Sequence, residues 1–152
     1  MSSWAKLRTL SFPEKRLLAA SVVLLPINAI ALRFLSLRRW QSLLCNGAAR
    51  KRQRSCLDAS ALSAAFETAR MVRIAASRGP YRGNCLQQSL TLWWLLRRQG
   101  IESEIRFGAR KEGGEFKAHS WVEVGGYALN EGRGGHHVFN HSESETAVLA
   151  VN

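Results

Sequence analysis

Residues 84–132, NCLQQSLTLWWLLRRQGIESEIRFGARKEGGEFKAHSWVEVGGYALNEG, decide the fold, because the period of the hydrophobic pattern changes inside them. From Cys85 onward apolar side chains return at 86, 90, 93 and 94, and the run closes on Arg97, Arg98 and Gly100, the usual signals of a helix C-terminus. Cys85 therefore opens a helix. After Gly100 the residues of IESEIRFGARK and FKAHSWVEVGGYALNEG alternate apolar and polar, and Gly113-Gly114 and Gly125-Gly126 supply turns. The pattern predicts three antiparallel strands, with HVFN a candidate fourth.

Upstream of Cys85 the chain reads as helical. Asp58 heads a run in which Leu62, Phe66, Ala69, Val72 or Arg73, and Ala76 share one stripe, and the run stops at Gly79-Pro80. FPEKRLLAASVVLL, residues 12 to 25, starts as a helix and is expected to end before Pro26. A second helix is expected over 28 to 44, with Ile30, Phe34, Leu35, Leu37 and Leu43 on one face. Asn46-Gly47 and AARKRQRS then form a basic loop. Helices first and a sheet after them give an α+β fold.

A chain of 152 residues suits one compact domain, and 46% apolar with 22% charged residues excludes a disordered tail or a fibrous repeat. Within that domain two regions differ in character: residues 1–57, apolar and basic, and residues 58–152, which hold the predicted site. Lysine and arginine outnumber aspartate and glutamate 22 to 11, for a formal charge of +11, and no acid stands between Glu14 and Asp58. That imbalance implies an anionic partner, a membrane surface or an acidic peptide. Cys45, Cys56 and Cys85 form an odd set without a C-x-x-C pair, so a disulfide scaffold is disfavoured and a reducing, cytoplasmic setting is expected.

The most apolar run, Leu17 to Leu32, has 16 residues and contains Pro26 and Asn28, short of the roughly 20 that a spanning helix needs. A signal peptide is disfavoured as well, since no small-residue cleavage site follows the run. A core helix bent or split near Pro26 is the expectation, with a weak membrane-surface association as the alternative.

The chemistry centres on Cys85. The unpaired amides and partial positive charge of a helix start favour a thiolate, and Arg78 and Arg82 stand nearby in sequence. His119, inside the predicted strand AHSWVEV, is the candidate proton partner. A third residue should orient the imidazole. If Gly125-Gly126 is a two-residue loop, Val124 pairs with Tyr127 and Asn130 falls on the histidine's face; a three-residue loop turns Glu131 inward instead. His136, His137 and His141 lie in a glycine-rich tail without suitably spaced partners and read as solvated, so no metal is expected.

Taken together, NCLQQSLTLWWLLRRQGI, IRFGARK and FKAHSWVEVGGYALNE resemble the transglutaminase-like cysteine protease family of lasso peptide biosynthesis, the leader peptidases. The match runs from about Ala69 to Gly132. The resemblance implies a papain-like fold of the transglutaminase type and removal of the leader from a ribosomally made precursor peptide, with Cys85 the nucleophile and His119 the base. The family's third residue is an aspartate twelve positions past the histidine; Glu131 stands there, one methylene longer, so either Glu131 or Asn130 takes the orienting role. No cofactor is implied. The chain is too short to include the family's leader-recognition domain, so a separate recognition protein is implied, with a macrolactam-forming cyclase acting later. The apolar and basic front third is a candidate docking surface for that protein or for acidic parts of the leader.

Two other functions fit the same residues. A thiol acyltransferase would use the same triad and let an amine, not water, resolve the thioester. A non-enzymatic adaptor would bind nucleic acid or anionic lipid through residues 33 to 54, although the R-K-R-Q-R run lacks the interleaved aromatics of a nucleic-acid surface.

Overall fold

A computed structural model describes residues 10–47, 58–112, 115–130 and 137–138. Among the described residues four helices precede the strands: α1 (Phe12–Phe34), α2 (Leu37–Gly47), α3 (Ala59–Arg78) and α4 (Cys85–Gln99). Strands β1 (Glu104–Glu112), β2 (Glu115–Val124), β3 (Tyr127–Ala128) and β4 (His137–Val138) form an antiparallel sheet in the order β3-β2-β1-β4. The arrangement is α+β.

Each helix has a chemical start. Ser11 and Glu14 form a reciprocal capping box on α1, and Asp58 Oδ1 accepts from Ala61 N at 2.7 Å on α3. Gly100 ends α4 in the left-handed conformation, φ 77°, with its N–H turned back to the carbonyls of Leu96 and Arg97. Leu92, Leu96, Val72, Val122 and Val124 are among the side chains that build the main core between α3, α4 and the inner face of the sheet. The α3 face turned inward is rich in alanine, Ala61, Ala65, Ala69 and Ala76, and these small residues let neighbouring helices approach closely. Phe66, expected on the buried stripe, is 44% exposed for the same reason: the close packing belongs to the alanine side.

The front of the chain departs from its expected layout. α1 runs unbroken through Pro26 for 23 residues and ends at Phe34, where Leu35 turns extended (φ −124°, ψ 142°). Proline costs one amide, the donor to the Val22 carbonyl, and the surrounding turns carry the helix past it. The break falls at Leu35-Ser36 because Ser36 starts the next helix, its carbonyl accepting from Trp40 N at 3.0 Å. Burial differs too. Ile30, Phe34 and Leu43, expected to share one helix face, are exposed, while Ser21 and Asn28 of α1 are buried. Asn28 is satisfied on both sides: its Nδ2 donates to Thr91 Oγ1 at 2.8 Å and its Oδ1 accepts from Trp40 Nε1 at 2.8 Å. A polar pin therefore ties α1 and α2 to α4.

Candidate active site

Cys85 is the first residue of α4, half-buried, with a free thiol. The loop before it is bolted to the first helical turn. Asn84 Oδ1 accepts from Gln87 N at 2.9 Å, and Gln87 Oε1 accepts from Asn84 N at 3.0 Å and from the Tyr81 hydroxyl at 3.1 Å. Gln88 Nε2 donates to the Gly83 carbonyl at 2.8 Å. The carbonyl oxygens of Asn84 and Gln87 are thereby engaged in holding the helix start. As the first two residues of α4, Cys85 and Leu86 have backbone N–H groups without an acceptor inside the helix.

Gly83 completes this loop through a close approach. A Cβ built on it would stand 2.8 Å from Leu25 Cδ2, and Leu25 is fully buried on α1. The absence of a side chain at 83 thus lets α1 pack directly against the loop that presents the thiol.

His119 sits on β2 opposite Gly108 of β1. The strand's alternation puts Ser120, Val122 and Val124 on one face and His119, Trp121 and Glu123 on the other, where Trp121 is also buried. His119 and Trp121 stack with ring centroids 6.1 Å apart and an interplanar angle of 20°. Trp121 is itself fixed, its Nε1 donating to Glu123 Oε1 at 3.0 Å while Arg106 Nε donates to Glu123 Oε2 at 3.0 Å. The imidazole therefore rests against an indole held by an ion-paired carboxylate.

The helix start and the histidine strand meet along one seam. Ser89, one turn beyond Cys85, donates its hydroxyl to the Ser120 carbonyl at 3.1 Å. Asn130 Nδ2 donates to Ser89 Oγ at 3.0 Å, and Asn130 Oδ1 accepts from Val122 N at 2.8 Å. The thiol's helical turn is thus bonded to the residue next to His119. The register of the following hairpin is the two-residue one: Val124 pairs with Tyr127, and Gly125 and Gly126 adopt φ 56° and 83°. Asn130 nevertheless does not extend the ladder. β3 ends at Ala128, the chain bends, and the Asn130 amide closes the β2 edge toward α4 instead.

Of the residues singled out by sequence, Cys85 and His119 lie on the two elements that this seam joins. Glu131, His136 and His141 lie outside the described residues, as does Cys56; His137 is on β4, paired with Ala109. Ser89 and the Trp121–Glu123–Arg106 chain are the residues that sequence reasoning passed over. Ser89 left a signal, a polar residue four positions after the cysteine on an otherwise apolar helix face. Among the described residues no group of three or more His, Cys, Asp or Glu side chains is placed to hold a metal ion.

Comparison with curated proteins and with solved structures gives no match. The family model of the transglutaminase-like superfamily matches residues 28–144, from the middle of α1 past β4 and so across most of the 152-residue chain. That superfamily includes cysteine proteases and acyltransferases, and a cysteine heading a helix that is bonded to a histidine-bearing strand suits such chemistry. The chain belongs to the transglutaminase-like superfamily.

Proposed function

We propose that the protein is a cysteine peptidase of papain-like, transglutaminase type that removes the leader from a ribosomally made lasso precursor peptide, with Cys85 as nucleophile, His119 as general base and acid, and Glu131 orienting the imidazole. The observation that carries the peptidase reading is the seam in which Ser89 and Asn130 bind the Cys85 turn to the His119 strand. The choice of a leader peptide as substrate rests on the resemblance of residues 84–132 to leader peptidases.

The reaction follows from thiol chemistry. Cys85 Sγ, its proton passed to His119, attacks the scissile carbonyl carbon and forms a tetrahedral oxyanion, to which the N–H groups of Cys85 and Leu86 would donate. The C–N bond breaks as His119 returns the proton to the departing amine. Water then loses a proton to His119 and attacks the thioester carbon; the C–S bond breaks, leaving a leader carboxylate and restoring the thiol. The freed N-terminus is the substrate that a later macrolactam-forming cyclase requires. A separate recognition protein would supply the leader. A cytoplasmic setting, where the thiol stays reduced, goes with this chemistry.

The test is cleavage of the precursor peptide in the presence of its recognition protein, followed by mass spectrometry. Wild-type protein should yield leader and core fragments, and Cys85→Ala should leave the precursor intact. Cleavage by Cys85→Ala at the wild-type rate would refute the proposal. An added amine appearing in a new amide at the cleavage carbonyl would assign the same site to acyl transfer.

A further inference from the structure

α1 carries apolar residues on both faces, with Leu25 buried and Leu17, Leu18, Val22 and Leu24 packed against the core. Its buried residues include Ser21 and Asn28, whereas Phe12, Val23, Ile27, Ile30 and Phe34 point to solvent, with Val23 57%, Ile30 60% and Phe34 82% exposed. At 100° per residue Val23, Ile27, Ile30 and Phe34 lie within an arc of about 60°, a stripe about 17 Å long, with Arg16 on the same arc between it and Phe12. A helix of a soluble domain ordinarily turns a polar face to solvent, and an exposed apolar stripe marks an interaction surface.

The charge around the stripe says what covers it. Lys15 and Arg16 stand at one end and Arg33 and Arg39 at the other, all exposed, and no acid occurs between Glu14 and Asp58. Glu14 itself is paired with Arg70. An apolar strip with cations at both ends and no opposing carboxylate matches the two layers of an anionic membrane surface, acyl chains beneath phosphate headgroups. By length and composition α1 is also apolar enough to cross a bilayer, with mean hydropathy 2.0, but only 17% of that apolar window is buried. The residues that are buried, Leu25 and Asn28 among them, pin its other face to α3 and α4. That polar pin favours lying on the membrane over spanning it.

We propose that the outward face of α1 is a docking surface for an anionic lipid bilayer, seating the domain with α1 parallel to the membrane plane. The proposal stands apart from the chemistry assigned to Cys85 and is tested without it. Full-length protein is sedimented with vesicles of phosphatidylcholine alone and of phosphatidylcholine carrying about 30% phosphatidylglycerol. Binding to the anionic vesicles should be about tenfold or more stronger than to neutral ones and should weaken as salt rises. Val23→Ser/Ile27→Ser/Ile30→Ser should reduce it by about tenfold or more, with an unchanged thermal melt showing that the fold is intact. Arg33→Glu/Arg39→Glu tests the charge separately and should remove the preference for anionic lipid. Equal binding to both vesicle types, no binding to either, or wild-type binding by both variants would overturn the proposal. Two further results would also overturn it: a dimer that the triple serine variant dissolves, assigning the face to a second copy, or capture of a leader-recognition protein by this face without lipid, assigning it to a protein.

Discussion

The Ser89 hydroxyl donates to the Ser120 carbonyl at 3.1 Å, and this one bond joins the helix that begins at Cys85 to the strand that carries His119. The same hydroxyl accepts from Asn130, whose other end holds the Val122 amide. Three elements are thereby locked in register around the site. Ser89→Ala removes both bonds and leaves buried partners unsatisfied, a cost of about 1–3 kcal/mol in chemical denaturation. Under the proposed peptidase function, loss of this register should lower kcat for precursor cleavage by about tenfold to a hundredfold while KM holds. A variant that loses stability but keeps kcat would show that the bond serves the fold alone.

Gly83 links the apolar front of the chain to the site. Gly83→Ala needs no change of backbone region, but the new methyl would meet Leu25 Cδ2 at 2.8 Å in a fully buried place. The predicted cost is about 1–3 kcal/mol by thermal or denaturant unfolding. Leu25→Val makes room beside it, so the double variant should be less unstable than the sum of the two single changes. Strict additivity would count against the contact.

Asn28 is the clearest case of a polar group that holds the core together. Asn28→Leu leaves Trp40 Nε1 without its acceptor and Thr91 Oγ1 without its donor, although Thr91 still donates to the Gln87 carbonyl. A loss of about 2–4 kcal/mol is expected, and it should exceed the loss from Ile30→Ser, whose side chain is exposed. The reverse ranking in denaturant titrations would mean that the burial of Asn28 and the exposure of Ile30 are wrongly assigned.

The acid limb of stability should report on Glu14. The Ser11 backbone N–H and then the Ser11 hydroxyl hold its carboxyl below the ordinary carboxylate value, with Arg70 adding to them. A depressed pKa in the folded state means that this contribution is present above the ordinary value and fades as pH falls through the lowered one. Glu14→Gln should therefore be less stable than wild type at neutral pH and converge with it in acid. Parallel curves over that range, followed by thermal melts, would contradict the assignment.

Much of this was legible in the chain. The helix from Cys85 to Gln99, the two long strands and the Gly125-Gly126 hairpin each carry local signals, caps and period-two alternation, that tertiary packing did not override. The expectation for α1 failed at Pro26 because a proline costs one bond, which a long helix can absorb, whereas Ser36 supplied a new helix start that the apolar pattern concealed. The bonding of Asn130 was not readable: hairpin register predicts the ladder, not the bend after Ala128 that sends its amide to Ser89. Burial of Ser21 and Asn28 was invisible, since sequence periodicity assumes that the apolar face is the inner one.

The proposed function requires that Cys85 act as a nucleophile with His119 as its proton partner. Brief exposure to iodoacetamide near neutral pH, with each cysteine followed by peptide mass spectrometry, tests it directly. Cys85 should be alkylated about tenfold or more faster than Cys45 and Cys56, and His119→Ala should erase most of that advantage. Alkylation of Cys85 no faster than the other two, or a rate indifferent to His119, would contradict the account.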